Sequence, residues 1–225
     1  MSSDVEEQIR MPNGEPKSIQ TLATQGYDVD IGQCLSEGWE IFKQNALGFI
    51  GFLLVLFAIN VVLAFIPILG FIASIVVSAP LNAGFFIVAL RIAKKRQISF
   101  SDFFSGFNYF LPLFIAGLVV GIFIFLGTLL LIIPGIYLGV CYTFVVPLIV
   151  EKKLDFWEAM EASRQVVTKQ WLSIFLLGLV LFLINFVGAL IFGLGMLVTA
   201  PWTLCCVVAA YQSIFGFLPS SEDAI

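Results

Sequence analysis

The chain contains no histidine, and it is poor in charge of either sign. Charged residues make up 12% of its 225 residues, with 11 Lys and Arg against 15 Asp and Glu. Without histidine, the common zinc sites and histidine-based catalysis are excluded. The few basic residues give no patch that would suit nucleic acid. We therefore expect no catalytic residue, no metal site, no cofactor and no nucleic-acid partner.

Cysteine is also scarce, and the four cysteines form no C-x-x-C pair. Three of them, Cys141, Cys205 and Cys206, lie in apolar surroundings, and Cys34 lies near the N-terminus. Free cysteine in such places usually packs as a small apolar residue. A disulfide framework or a redox pair is therefore not expected.

Hydrophobic residues, in contrast, make up 60% of the chain, and its mean hydropathy is +1.05. Three stretches of 47, 48 and 52 residues carry no charge, namely Gln44–Leu90, Phe103–Val150 and Gln170–Ser221. One helical crossing of a bilayer needs about 20 apolar residues, so each stretch fits two crossings and a turn. The sequence predicts an all-α polytopic membrane bundle with six transmembrane helices at about 46–66, 69–91, 111–132, 134–150, 171–192 and 195–217.

The chain resembles itself when it is shifted by 125 residues. Leu54–Asn60 then falls on Leu179–Asn185, with six of seven positions identical. Such self-similarity indicates internal repeats. We predict a membrane domain over 30–217 made of three hairpin repeats, at about 30–97, 98–153 and 154–217. A disordered acidic tail over 1–29 and a short tail over 218–225 would flank it.

A helix-capping pattern precedes each uncharged stretch. In this pattern a short polar residue caps the helix start, and a residue three positions later reaches back to it. Apolar residues follow at helical spacing, so each repeat should begin with an amphipathic helix at the membrane interface, near 30–44, 99–110 and 155–169. The alternative is a plain extension of the crossing helix. The capping pairs are Asp30 with Gln33, Ser99 with Asp102, and Asp155 with Glu158.

The basic residues predict the orientation. All of them fall outside the uncharged stretches and on the same face of the predicted bundle. By the positive-inside rule that face is cytoplasmic. We therefore expect a multi-pass protein of the cell inner (plasma) membrane with both termini in the cytoplasm.

A few neutral polar residues are expected within the crossings. Ionisable groups, which active ion transport usually needs at depth, are missing there. The polar side chains fit two interpretations. They either form hydrogen bonds between helices or line a pocket for a lipid headgroup or a small solute. The candidates are Asn60, Asn82, Tyr142, Asn185 and Tyr211.

Several motifs together resemble a known group of proteins. The chain is similar to a broad group of prokaryotic integral membrane proteins of uncharacterised function, related to the membrane domain of glycerophosphoryl diester phosphodiesterases. The resemblance implies the membrane fold only, because catalysis in those relatives belongs to a separate soluble domain that is absent here. The matching segments are Ala79–Gly84, Ile98–Phe107, Ile133–Gly135, Val146–Leu148, Glu158–Ser163 and Lys169–Trp171.

Two functions remain open at this point. The first is a non-enzymatic membrane protein that organises lipid or assists a membrane protein partner. The second is a passive transporter or flippase-like carrier of a lipid or a small neutral solute. Membrane lipids are the expected partners in either case, and the sequence gives no oligomeric state.

Overall fold

The structure, a computed structural model, describes residue 22 and residues 27–190 and 193–217. The predicted tails over 1–29 and 218–225 therefore lie almost wholly outside the described residues. Within the first of them, Leu22 and Tyr27 are buried. Burial raises the pKa of the Tyr27 hydroxyl well above its usual value. The packed part of the chain thus begins before Asp30.

The described residues are almost entirely helical, which confirms the all-α class. Six helical stretches are long and apolar enough to cross a membrane. The α-helices are α1 (Ile31–Gln44), α2 (Ala46–Ala64), α3 (Pro67–Ala93), α4 (Phe110–Leu130), α5 (Ile132–Cys141), α6 (Val145–Lys152), α7 (Phe156–Lys169), α8 (Trp171–Leu190) and α9 (Met196–Phe215), with a 3-10 helix at Phe100–Tyr109.

The fourth candidate crossing differs from the prediction, because it is broken into two helices. α5 ends at Cys141 and α6 begins at Val145, with a turn between them. Pro147 lies in the first turn of α6. Since proline has no backbone N–H, it cannot donate to the carbonyl of Thr143 as a continuous helix would require. The sequence predicted one helix over 134–150, and that prediction is wrong at the break.

Two of the three short helices are separate from the crossings that follow them. Between α1 and α2, Asn45 has φ −145° and ψ 43°, and between α7 and α8, Gln170 has φ −127° and ψ 41°. Neither residue is helical, so α1 and α7 are not plain extensions of α2 and α8. The middle short helix is a 3-10 helix that runs directly into α4 at Phe110, and the two form one candidate span, so its predicted separation from the crossing is wrong. It buries Phe103 and Gly106 and leaves Phe100 exposed.

Two of the three predicted caps are formed. The Asp30 carboxylate accepts a hydrogen bond from the Gln33 N–H at 3.0 Å, but the Gln33 side chain donates to Glu37 at 2.7 Å and does not reach back to Asp30 as predicted. Ser99 and Asp102 form both halves of a capping box. The third prediction is wrong, because Asp155 occupies the cap position of α7 but its side chain makes no cap hydrogen bond. α7 starts through the backbone alone, where the Asp155 carbonyl accepts from the Ala159 N–H at 2.9 Å.

The candidate crossings divide into an inner and an outer set. The buried share is 56%, 39% and 50% in the spans built on α3, on α5 with α6, and on α9. It is 11%, 17% and 22% in the spans that contain α2, α4 and α8. The first set therefore supplies most of the protein core, and the second leaves its apolar side chains on the outer surface.

Each short helix packs against one inner span, at a small residue. A Cβ atom added to Gly38 of α1 would lie 2.5 Å from the Cys206 sulfur of α9. A Cβ at Gly106 of the 3-10 helix would collide with the Pro80 carbonyl oxygen of α3. Ser163 of α7 is buried at the break between α5 and α6. The apolar faces of α1 and α7 are therefore covered largely by protein, whereas Phe100, Phe104 and Phe107 of the 3-10 helix stay exposed.

Candidate functional site

The five predicted polar residues do not form one site. Asn82 and Tyr142 line the same cavity. Asn60 lies beside Asn82 at a second, much smaller cavity of about 50 Å³. Asn185 bonds to α9, and Tyr211 is buried beside a glutamate at the end of α6. The structure thus brings Asn82 together with Tyr142 in one cavity and with Asn60 in the other. Asn185 and Tyr211 lie apart from both cavities.

The cavity that Asn82 and Tyr142 line, hereafter the main cavity, has a volume of about 510 Å³ and lies between three spans. Another cavity of about the same volume lies between α8 and α9 and contains none of the five predicted residues. One wall is α3, one is α4, and the third is the junction of α5 and α6. Several of its lining side chains, including Ile75, Leu118 and Phe125, are also exposed on the outside of the bundle. The cavity is therefore continuous with the apolar surface. Its remaining lining residues are Ser78, Ala79, Asn82, Leu113, Phe114, Ala116, Gly117, Val120, Gly121, Ile122, Tyr142, Val145 and Val146.

Two glycines of α4 create the space in this cavity. A Cβ at Gly121 would meet no atom within 4 Å, and one at Gly117 would only touch the Ala79 Cβ at 3.7 Å. Small residues at this spacing often bring helix backbones together in membranes. Here the two glycines instead face a gap that larger side chains could fill without moving the backbone.

Polar groups enter the cavity from two of its walls. On α3, the Asn82 amide N–H donates to the Ser78 carbonyl at 2.8 Å, and its side-chain oxygen has no hydrogen bond among the described residues. On the third wall, the Tyr142 ring lies 6.5 Å from the Phe123 ring. The structure gives the Tyr142 hydroxyl no hydrogen bond within its described part. The cavity is thus apolar, with one amide oxygen and one hydroxyl available.

The break that carries Tyr142 is held by the buried Ser163 of α7. The Ser163 hydroxyl donates to the Cys141 carbonyl at 2.7 Å and accepts from the Phe144 N–H at 3.3 Å. These bonds satisfy backbone groups that the break frees from the helix. Irregular backbone at membrane depth needs such partners, because lipid cannot supply them. A further cavity, of about 260 Å³, lies on the other side of the break and is lined by Thr143.

Asn60 and Asn185, which matched at the 125-residue shift, make the same local bond. Each amide donates to the carbonyl four residues earlier in its own helix, at 2.9 Å. Asn185 also donates to the Thr203 hydroxyl of α9 at 2.6 Å, and its side-chain oxygen is buried without a hydrogen bond. Asn60 is exposed and lines the small cavity with Ser78, which corresponds to Thr203 at the same shift. The shared bond therefore lies within each helix.

The most buried charge in the described chain was missed by the sequence analysis. Glu151, at the end of α6, is only 1% exposed. Its carboxylate lies 3.1 Å from Lys94 and 3.5 Å from Lys152, and it accepts a hydrogen bond from the Tyr211 hydroxyl at 2.8 Å. Because Lys94 follows α3 and Tyr211 lies in α9, this cluster joins all three inner spans. The sequence feature that could have identified Glu151 is its position as the first charge after a long uncharged stretch.

The remaining ionisable groups show no reactive arrangement in the described residues. No three residues among His, Cys, Asp and Glu come close enough there to hold a metal ion. Burial, with the nearby Glu37 and Asp30 carboxylates, raises the pKa of the Cys34 thiol to about 11. That thiol stays protonated at neutral pH and is a poor nucleophile. On α7, the exposed Glu161 is held by Arg164, whose hydrogen bonds lower the pKa of the carboxyl.

These features define an all-α protein with six candidate membrane-spanning helices and a lateral apolar cavity. No family model matches the chain, and no solved structure matches it. It is similar to uncharacterised proteins of Mycobacterium bovis and Mycobacterium tuberculosis, with 28% identity over 148 residues, or 66% of this chain. The match spans 45% of those relatives' length. The resemblance to phosphodiesterase membrane domains therefore stays a prediction.

Proposed function

We propose that the protein is a non-enzymatic integral membrane protein that organises lipid, by holding a lipid molecule in the cavity between α3, α4 and the α5–α6 junction. The observation that carries this proposal is the cavity itself. Its volume of about 510 Å³ lies in the usual range of ligand sites, about 300–1,000 Å³. Its lining is mainly apolar, and it borders exposed residues such as Leu118 and Ile122 that would face the bilayer.

We further propose that the bundle consists of three hairpin repeats closed into a ring. One support is that α1 packs on α9, the 3-10 helix on α3, and α7 on α5 and α6. Each short helix would then pack on the second span of the preceding repeat, and the first would close on the third. A second support is a glycine at the start of the second helix of each hairpin. A Cβ at any of these glycines would collide with the residue seven positions earlier, in the first helix of the hairpin. They are Gly70, Gly135 and Gly195.

The proposed orientation places the three short helices and both termini at the cytoplasmic face of the inner (plasma) membrane. The support is the clustering of the basic residues of the described chain at that end of the spans. Trp39 and Trp157 on α1 and α7 are exposed, as aromatic residues at a membrane interface are. These short helices would thus lie at the interface while their buried faces pack on the inner spans.

Reporter fusions test this orientation. Fusions after Gly70, Gly135 and Gly195 are expected to report the periplasmic or outer side. Fusions after Gln97 and Lys153 are expected to report the cytoplasm, because they follow clusters of basic residues. Reversed signals at two or more of these five sites would refute the proposed topology.

Filling the cavity tests the lipid proposal. Leucine in place of Gly121 occupies the cavity without a backbone collision, since a Cβ there meets nothing within 4 Å. We expect the G121L protein, purified in mild detergent, to lose a lipid that the wild type retains in native mass spectrometry. The matched control is Gly178→Leu, because a Cβ at Gly178 also meets nothing within 4 Å but lies outside this cavity.

A comparison of G121L with G178L shows whether the lipid binds in the main cavity. Retention of the lipid by G178L and its loss from G121L would support a lipid site in this cavity. Equal retention by wild type and G121L would contradict it. A size-exclusion profile and a helical circular dichroism spectrum show whether each variant is folded, so a loss of lipid can be assigned to the cavity.

A passive carrier is the second candidate, and the break between α5 and α6 favours it. Carriers often place their substrate at broken helices. Here the break is flanked by the main cavity and by the cavity of about 260 Å³. Transfer of a fluorescent lipid between the leaflets of protein-containing vesicles distinguishes the candidates. Transfer no faster than in empty vesicles would leave lipid organisation as the function.

A further inference from the structure

We infer that the occupant of the main cavity is an uncharged lipid whose carbonyl or hydroxyl oxygen lies between Asn82 and Tyr142. This inference rests on the proposed lipid-binding function and specifies the chemical class of the ligand. Three observations carry it: the position of the two polar residues at one end of the cavity, the lack of charge in the lining, and the hydrogen-bonding groups that the two side chains offer.

Both polar residues lie beside the short helices, at one end of the cavity. Asn82 is two residues from Gly84, which approaches the Phe103 carbonyl of the 3-10 helix. Tyr142 directly follows Cys141, whose carbonyl accepts a hydrogen bond from Ser163 of α7. The polar end of the cavity therefore lies toward the short helices, and the rest of its lining is apolar apart from Ser78.

A charged headgroup does not suit this position. None of the residues that line the cavity is charged. A charge moved from water into such a lining is costly, because no charged side chain there can pair with it. A phospholipid could insert its acyl chains here, but its phosphate would remain outside, in water. An uncharged lipid can bring its polar oxygen to Asn82 and Tyr142 without this cost.

The two side chains offer groups that suit such an oxygen. The Tyr142 hydroxyl can donate or accept, and the Asn82 amide has an oxygen and a second N–H beyond its bond to Ser78. A polar group without a partner in hydrocarbon is unfavourable, so a ligand oxygen would stabilise both residues. The apolar body of the ligand would extend along α4 beside Gly117 and Gly121, where the structure leaves space.

The test compares uncharged and charged lipids on the same protein in detergent. The probes are a naphthoquinone with a short isoprenoid tail, dioleoylglycerol, and phosphatidylglycerol. We expect at least one of the uncharged probes to raise the thermal midpoint at a concentration where phosphatidylglycerol has no effect. Stabilisation by the quinone alone or by dioleoylglycerol alone identifies the source of the oxygen, and either result supports the inference.

Two variants assign the effect to the polar pair. Tyr142→Phe removes one hydroxyl, and Asn82→Leu removes the amide. Each is expected to weaken binding of the uncharged probe by about two- to tenfold, the effect of one lost hydrogen bond. Tyr137→Phe is the matched control, since the Tyr137 hydroxyl in the same broken crossing lies 3.1 Å from that of Thr168, outside the cavity.

The outcomes separate this inference from the proposed function. If phosphatidylglycerol stabilises the protein as well as the uncharged probes do, or if Y142F binds the uncharged probe like wild type, the inference is wrong. The lipid-binding proposal would survive in that case, provided that G121L still loses its lipid. If G121L retains lipid and binds every probe like wild type, both the inference and the proposed function fail.

Discussion

Replacing Glu151 by alanine is expected to destabilise the protein by about 3–5 kcal/mol, the usual result of removing one member of a buried ion pair. The substitution removes the carboxylate that Lys94, Lys152 and Tyr211 all contact. The side chains of Lys94 and Lys152 are only 10% and 6% exposed, so water can replace the lost carboxylate only in part. Thermal unfolding in detergent measures the effect.

The control is an ion pair at the surface whose distance is shorter still. Arg164 contacts Glu161 at 2.6 Å, but both side chains are well exposed, at 44% and 38%. Such pairs contribute about 0–1 kcal/mol, so Glu161→Ala should change the midpoint little. The Glu151→Gln side chain can still accept the Tyr211 hydrogen bond. Its thermal midpoint should therefore lie between those of Glu151→Ala and Glu161→Ala. A midpoint for E151A equal to that of E161A would show that the buried cluster does not hold the inner spans together.

Replacing Gly106 by alanine is expected to destabilise the protein by about 3 kcal/mol, at the upper end for an overpacked site. The new Cβ would collide with the Pro80 carbonyl oxygen, which is backbone and cannot rotate away. The 3-10 helix would have to move off α3, where Gly84 makes a reciprocal approach to the Phe103 carbonyl. At about 2–4 °C per kcal/mol, the midpoint should fall by about 6–12 °C.

Replacing Gly178 by alanine is expected to leave the stability of the protein unchanged or to increase it, in contrast to the same change at Gly106. A Cβ at Gly178 meets nothing within 4 Å, and this glycine lies inside the α-helix α8. Glycine in a helix interior is less favourable than alanine by about 0.5–1 kcal/mol. Gly178→Ala should therefore leave the midpoint unchanged or raise it. A Gly106→Ala protein as stable as Gly178→Ala would contradict the close approach between the 3-10 helix and α3.

Much of the fold could be predicted from local patterns. The six candidate spans follow from the uncharged stretches, and helices such as α2 and α8 begin where the sequence predicted, at residues 46 and 171. The caps at Asp30 and Ser99 follow from the same local chemistry. These features depend on neighbours within a few residues, so a single sequence contains the information that they need.

The features that were missed depend on contacts between distant elements. Gly38 and Ser163 interrupt the apolar spacing of α1 and α7, and both lie where a short helix meets an inner span, at Cys206 and at the break after Cys141. Glu151 is the first charge after an uncharged stretch, and contacts with Lys94 and with Tyr211 of α9 bury it. No local pattern reveals which helix will cover such a residue.

The candidate site was predicted only in part. Asn82 and Tyr142 were both named from the sequence, and the structure places them in one cavity. Their meeting could not be predicted, because it requires the α5–α6 break and the gap beside Gly121. Asn185 and Tyr211 were named on the same grounds, yet they bond to Thr203 and Glu151 instead. Polarity within an apolar helix therefore identified candidates without distinguishing ligand contacts from packing contacts.

The most direct test of a lipid site between α3, α4 and the α5–α6 junction is a density map of the protein in lipid nanodiscs. The account predicts elongated density along Gly117 and Gly121 that ends within hydrogen-bonding distance of Asn82 and Tyr142. A map in which α3 and α4 close together along these glycines, with no room for a lipid, would contradict it.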